Sequence, residues 1–280
     1  MTVASAQRAP ALTRAFAAAL AALAAPGVAA ADERITDDTP YKTPEGRVRA
    51  GLWKLEYGVH GVPRLELGTY TLPYLTWAFG VKSGNAHVKY QLLDRRVWTL
   101  AASLGVAYVD LDGLDVDARI AIVPVRLLAA ARLGGRFTAA LGLMYSQISG
   151  EGGYNEDETT AFRGAVAVSN AQAWLSLTTR LSRGWSLYLE GRAIASTEAA
   201  ADGDLTITVD ERTTVDVSAT GNASIDEMRG ASALVAFQWS STRRFRFRAG
   251  LGYGNYNIPV LNFIVPIATP FPELDISFVF

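Results

Sequence analysis

From about residue 47 onward, apolar residues recur at every second position rather than every third or fourth. Between Val97 and Val109, Trp98, Leu100, Leu104, Val106 and Tyr108 share one parity, while Val97, Thr99, Ala101, Ser103, Gly105 and Ala107 share the other. Phe137, Ala139, Leu141, Leu143 and Tyr145 likewise oppose Thr138, Ala140, Gly142, Met144 and Ser146. The split returns in Trp185–Arg192, Ala231–Ser240 and Arg244–Gly254, where Phe245, Phe247, Leu251 and Tyr253 oppose Arg244, Arg246, Arg248 and three glycines. Period two predicts strands with two unlike faces.

A soluble β-sandwich also alternates, because one face of each sheet is wet. Three features favour a membrane barrel instead. Connections alternate between tight (60–63, 93–96, 133–136, 182–184, 241–244) and long (near 71–84, 109–118, 147–160, 196–229 and 255–271). Transmembrane barrels pair short turns on one side with long loops on the other. The aromatic residues also fall in bands. Trp98, Phe137, Trp185, Trp239 and Phe245 sit beside the tight turns, with Tyr108, Tyr145 and Tyr253 eight to ten residues away. A tilted strand of that length climbs about 20–25 Å, the height of an apolar membrane band. Finally, the parity opposite the aromatics is small and polar, which suits a wet lumen better than a core.

The last eight residues, ELDISFVF, place Leu274, Ile276, Phe278 and Phe280 on one parity, with Glu273, Asp275 and Ser277 between. This ending resembles the C-terminal signal of bacterial outer-membrane β-barrels, although the glycine usual earlier in that signal is not obvious. The resemblance implies a porin- or transporter-like protein of the outer membrane of a Gram-negative cell, with its last strand read by the barrel-assembly machinery. Lipid and lipopolysaccharide would be its surroundings.

Strands are predicted near 47–58, 64–74, 85–93, 96–108, 119–132, 136–148, 162–181, 185–196, 229–240, 244–254 and 272–280. Eleven is an odd number, and bacterial barrels are normally even. Residues 44–51 supply a short further strand that turns near Gly51. The expectation is an all-β, antiparallel, up-and-down transmembrane barrel of twelve strands, with ten as the alternative. Residues 196–229 are expected to rise above the membrane as a hairpin.

Residues 1–30 have Arg8 and Arg14 as their only charges, then an alanine-rich run and small residues around Ala30 and Ala31. That is the pattern of a cleaved secretory signal peptide, with Pro26 and Gly27 breaking the run before the ~20 residues a spanning helix needs. Residues 31–46, polar and with two prolines, read as a periplasmic leader or a lumen plug, and 47–280 as the barrel. The formal net charge is −1, and losing two arginines and no acid takes it to −3. That balance gives no motive for nucleic-acid binding. With no cysteine, neither a disulfide framework nor a lipid-bearing terminal cysteine arises.

The lumen parity carries the chemistry. Lys54, Glu56, Arg64, Glu66, His87, Lys89, Gln91, Arg126, Glu190, Arg192, Arg244, Arg246 and Arg248 are all expected to point inward. An arginine wall at 244, 246 and 248 would favour anionic solutes, unless acids on other strands pair with it and fill the bore. The small residues Ala101, Ser103, Gly105, Ala140, Gly142, Gly250 and Gly252 leave room for water or a plug. The apolar stretch 257–270 reads as an inward constriction or a lipid-facing rim.

Asp110, Asp112, Asp115 and Asp117 open like a calcium loop but lack its final glutamate, so no metal or other cofactor is expected. Glu151, Glu156, Asp157 and Glu158 form a second acidic stretch. An outer-membrane lipid hydrolase would need a serine activated by histidine. Of the two histidines, His60 falls in a tight turn, and two residues after His87 stands Lys89. The function expected is a passive channel or transporter for small solutes. A closed barrel working through its loops is the alternative, and an enzyme the lesser one.

Overall fold

The computed structural model describes residues 39–111, 117–157, 160–210, 213–224, 230–242, 244–254 and 268–280. Its strands are β1 (Val48–Gly51), β2 (Lys54–Gly58), β3 (Leu65–Tyr70), β4 (Lys82–Asp94), β5 (Trp98–Asp110), β6 (Asp117–Leu133) and β7 (Phe137–Asp157). They continue as β8 (Thr160–Arg180), β9 (Trp185–Asp210), β10 (Thr213–Ser224), β11 (Ala231–Thr242), β12 (Phe245–Gly254) and β13 (Thr269–Val279). A helical turn α1 (Leu72–Leu75) and a 3-10 turn (Thr76–Phe79) separate β3 from β4.

Every described pairing between strands is antiparallel, and the sheet closes on itself as a twelve-stranded barrel. Closure comes from β13 against β1, with Arg49 opposite Val279 and Gly51 opposite Ser277. The thirteenth strand, β10, lies outside the ring. β9 pairs with β11 through its first half, Trp185–Ala193, and with β10 through its second, Glu198–Asp210. The hairpin expected from 196–229 is therefore present, and the short strand before Trp53 is β1.

Element lengths differ from the sequence pattern in two places. β3 stops at Tyr70, not near 74, because Pro73 is seated in the first turn of α1. β7 and β8 run on through most of the expected 147–160 loop, from Ile148 opposite Val168 to Asp157 opposite Thr160. The stretch 257–267, Asp112, Asp115 and Glu158 lie outside the described residues.

The alternation resolves into an inside and an outside. Leu141, Leu143 and Tyr145 on β7 are 46 %, 47 % and 51 % exposed, while their inward neighbours Ala140, Met144 and Ser146 are buried. Leu104, Val106, Val235, Phe237 and Leu274 are exposed in the same way, and Gln238, Glu56, Glu66 and Ser186 are shut inside. A soluble protein does not wrap itself in a continuous apolar surface. A closed sheet, by contrast, satisfies its ladder internally and can meet hydrocarbon all round.

The aromatic bands fall where the pattern put them. Trp185 packs on Trp239, Trp239 on Phe245, Phe245 on Phe278 and Phe278 on Phe280, with ring centroids 4.8–6.4 Å apart. This row crosses β9, β11, β12 and β13 at the tight-turn end. Trp98 belongs to the same end, on the outer face of β5, and Phe137 starts β7 there half-buried. Tyr108, Tyr145 and Tyr253 face outward higher up. On the last strand Leu274, Ile276, Phe278 and Phe280 share the outer face, with Asp275 and Ser277 buried between them.

Candidate functional site: the charged interior

Strands β1 to β4 bring one cluster together. Arg49 forms an ion pair with Glu56, whose side chain is 1 % exposed. His87 Nε2 lies 3.8 Å from Glu56 Oε1. Lys89 Nζ is 2.6 Å from Glu66 Oε1. Gly68 makes the space for this, since a Cβ there would sit 2.5 Å from the His87 ring. Glu56, Glu66 and His87 offer donor atoms all within 4.8 Å of one another, the spacing of a cation site. Arg49 and Lys89 already supply the positive charge those carboxylates require, so the donor set is matched without an ion.

Residues 39–45 enter the same space. The Thr43 N–H donates to Glu66 Oε2 at 2.5 Å, Lys89 Nζ to the Tyr41 carbonyl at 2.8 Å, and Gln91 Nε2 to the Pro40 carbonyl at 3.4 Å. The Arg132 guanidinium stacks over the Tyr41 ring at 5.1 Å. Gly58 lets the segment lie against β2, for a Cβ there would be 2.2 Å from the Pro44 carbonyl oxygen. Thr39, Tyr41 and Thr43 are all buried by these contacts.

From this cluster a belt of polar contacts runs round the interior. Tyr70 packs on His87 at 5.2 Å and accepts a hydrogen bond from Arg126 Nη1 at 2.6 Å. Lys54 Nζ sits 5.3 Å from the centre of the same ring. Arg126 Nε reaches Met144 Sδ at 3.3 Å, and Met144 packs with Ala101, Leu128 and Trp174. Arg192 stacks on Trp174 at 4.9 Å and pairs with Glu190 at 3.1 Å. The Tyr188 hydroxyl donates to Glu190, and Arg248 stacks on the Tyr188 ring at 5.0 Å. Arg248 also pairs with Glu273, and Arg246 with Asp275 at 2.9 Å.

Most of the inward set is thus where parity placed it: Lys54, Glu66, His87, Lys89, Arg126, Glu190, Arg192, Arg246 and Arg248. Arg64 and Arg244 are exceptions, exposed beside tight turns rather than in the bore. The arginine row is compensated, because register sets Arg248 opposite Asp275 and Arg246 opposite Ser277, within reach of the acids of β13. Nor do the glycines leave empty space. The Trp174 ring lies where a Cβ on Gly142 would stand, 2.1 Å away, and Phe271 covers Gly252 at the same distance. Arg49, Tyr70, Tyr188, Trp174, Glu273 and Asp275 complete the belt and were not singled out. Their inward parity was legible, but their partners follow from register.

Of the acidic stretches, Glu151 lies 3.8 Å from Arg119, both exposed. His60 is 83 % exposed near Glu45 and joins no cluster.

An apolar exterior, a closed antiparallel ladder and a bore lined by paired charges define a transmembrane β-barrel. No protein-family model and no curated protein matches the chain. Solved structures similar to it include a TodX monoaromatic hydrocarbon channel mutant, at 12 % identity over 84 % of this chain and 67 % of that one, TM-score 0.43. The outer-membrane protease OmpT of Escherichia coli is similar at 9 % identity over 89 % and 97 %, TM-score 0.36. The translocator domain of autotransporter NalP from Neisseria meningitidis is similar at 9 % over 83 % and 85 %, TM-score 0.33.

Proposed function

We propose that this barrel is an outer-membrane channel or transporter for small solutes, held shut at its tight-turn end by residues 39–45. The observation that supports it is the set of hydrogen bonds that tie this segment's backbone to the side chains of Glu66, which accepts, and of Lys89 and Gln91, which donate. A strut needed only to stiffen a barrel would be built into the sheet. Among the described residues, this segment instead is bridged to β2 only at Glu45 and Gly58 and otherwise lies inside the barrel on side-chain contacts that can be released. The tight turns face the periplasm, the tall hairpins face outward, and the outward face of β13 is what the assembly machinery would read.

The test is single-channel conductance of the chain without residues 1–30, refolded into a planar bilayer. Native protein is expected to show small or rare openings. Gly58→Val drives a side chain into the Pro44 carbonyl and unseats the segment without touching the belt, so conductance should rise about tenfold in frequency or amplitude. A folded protein that stays silent in both forms sinks the channel reading in favour of a closed barrel acting through its loops. The arginine row gives a second expectation. Because Arg246 and Arg248 are paired, Arg248→Gln should raise cation preference by less than about twofold, whereas Glu273→Gln should expose Arg248 and shift reversal potentials toward anions.

A further inference from the structure

The wall that holds residues 39–45 reads their main chain. Glu66 and Lys89 stand opposite each other on β3 and β4 and pair at 2.6 Å through Glu66 Oε1. Each keeps a further hydrogen bond for the segment. Glu66 Oε2 accepts the Thr43 N–H at 2.5 Å, and Lys89 Nζ donates to the Tyr41 carbonyl at 2.8 Å. Gln91, buried on the same inward face of β4, donates to the Pro40 carbonyl at 3.4 Å. The Thr43 side chain is fully buried too, yet its hydroxyl has no hydrogen-bond partner among the described residues. This part of the wall therefore recognises the peptide group rather than the polar side chain it carries.

One ion pair meets a carbonyl at 41 and an N–H at 43 because residues two apart in an extended chain turn their main-chain groups the same way. Prolines favour that shape. Pro40 and Pro44 disfavour the helical region for Thr39 and Thr43, and Pro40 is itself fully buried. Tyr41, whose carbonyl Lys89 holds, has a pocket of its own. Its ring packs on Ala130 and Ala140, which face each other across β6 and β7, and lies under the Arg132 guanidinium at 5.1 Å. Two alanines at these inward positions leave the depth that a flat ring fills. Main-chain hydrogen bonds for affinity and a side-chain pocket for choice are how a protein binds an extended peptide.

These contacts use two carbonyls, one N–H and one aromatic ring, groups that any short peptide with an aromatic residue carries. The segment's hold at its base is separate. There the Gly46 N–H donates to the Gly58 carbonyl at 2.8 Å, and the Gly58 N–H to the Arg47 carbonyl at 3.0 Å. A segment tethered so close to its site competes with a free ligand at an effective concentration on the order of millimolar. It keeps the site filled until peptide is abundant or the segment is displaced. The room a ligand needs is the room residues 39–43 already occupy.

We propose that the wall formed by Glu66, Lys89, Gln91, Ala130, Arg132 and Ala140 is a binding site for short, extended peptides with an aromatic residue, and that residues 39–43 occupy it as a built-in mimic. The proposal rests on reading the barrel as a conduit closed by this segment, and it names the class of solute. Tyr41→Ala removes the segment's anchor and leaves every wall residue in place. The variant, without residues 1–30, is refolded into detergent micelles and titrated calorimetrically with acetyl-Thr-Pro-Tyr-Lys-amide. That peptide repeats residues 39–42, and its terminal amide supplies the N–H that Thr43 gives Glu66. It is expected to bind the variant at least about tenfold more tightly than the native chain, where the tethered segment competes. The same peptide with alanine for tyrosine, or with a methyl ester for the terminal amide, should bind about tenfold more weakly in each case. No saturable binding, or binding indifferent to either change, overturns the proposal. Conductance of Tyr41→Ala in a planar bilayer tests the conduit separately. A silent variant that binds the peptide supports the site and counts against the channel reading alone, whereas open channels that bind no peptide overturn the site alone. Gly58→Val, which unseats the segment at its base, replaces Tyr41→Ala if the latter does not fold.

Discussion

Glu66→Ala is expected to lower the stability of the folded barrel by about 3 kcal/mol and to open the bore in the same step. Glu66 is fully buried, holds Lys89 by one oxygen at 2.6 Å and the Thr43 N–H by the other at 2.5 Å. Truncation leaves an ammonium with its counter-charge gone, and frees the only carboxylate contact to residue 43 among the described residues. Urea unfolding from lipid vesicles, followed by tryptophan fluorescence, measures the first effect, and conductance the second. The double variant Glu66→Ala with Lys89→Met removes both charges and should recover most of the stability while staying open. A single-variant loss below about 1 kcal/mol would mean that water in the bore already screens this pair.

The second large effect concerns packing. A Cβ at Gly142 would lie 2.1 Å from the Trp174 ring, which is itself held by Arg192 at 4.9 Å and by Leu128 and Met144. Gly142→Val is therefore expected to cost about 3 kcal/mol, at the upper end for overpacking, since the ring has no free direction to yield. Trp174→Ala alone should cost a similar amount by leaving a cavity. Combined, the two should be more stable than either alone, by the logic of a double-mutant cycle. Strictly additive losses would show that the ring does not use the space over Gly142.

How legible was this in the sequence? Where lipid meets one face of a strand and the bore the other, the two environments differ so sharply that Leu141–Met144 or Phe245–Arg248 can be read by parity alone. The same reasoning fails above the membrane. There β7 and β8 are wet on more than one face, so alternation fades, and pairing between Ile148–Asp157 and Thr160–Val168 replaces a predicted loop. Charge pairing was hidden for a different reason. Arg246 and Arg248 lie well before Asp275 and Glu273 in the chain, and only the register of β12 on β13 joins them. The glycines misled because an absent side chain looks like free volume until the neighbouring strand's Trp174 or Phe271 is seen to claim it.

β9 holds 26 residues, and its second half, from Glu198 to Asp210, is matched only by β8 on one side and β10 on the other. The seventeen residues from Ile194 to Asp210, at ~3.3 Å each, carry the hairpin tip about 56 Å along the strand beyond the last pairing with β11. That makes the molecule a mast as well as a barrel. If the tall hairpins face outward as proposed, a short epitope inserted between Asp210 and Thr213 is expected to bind antibodies on intact cells, with every strand of the ring left undisturbed.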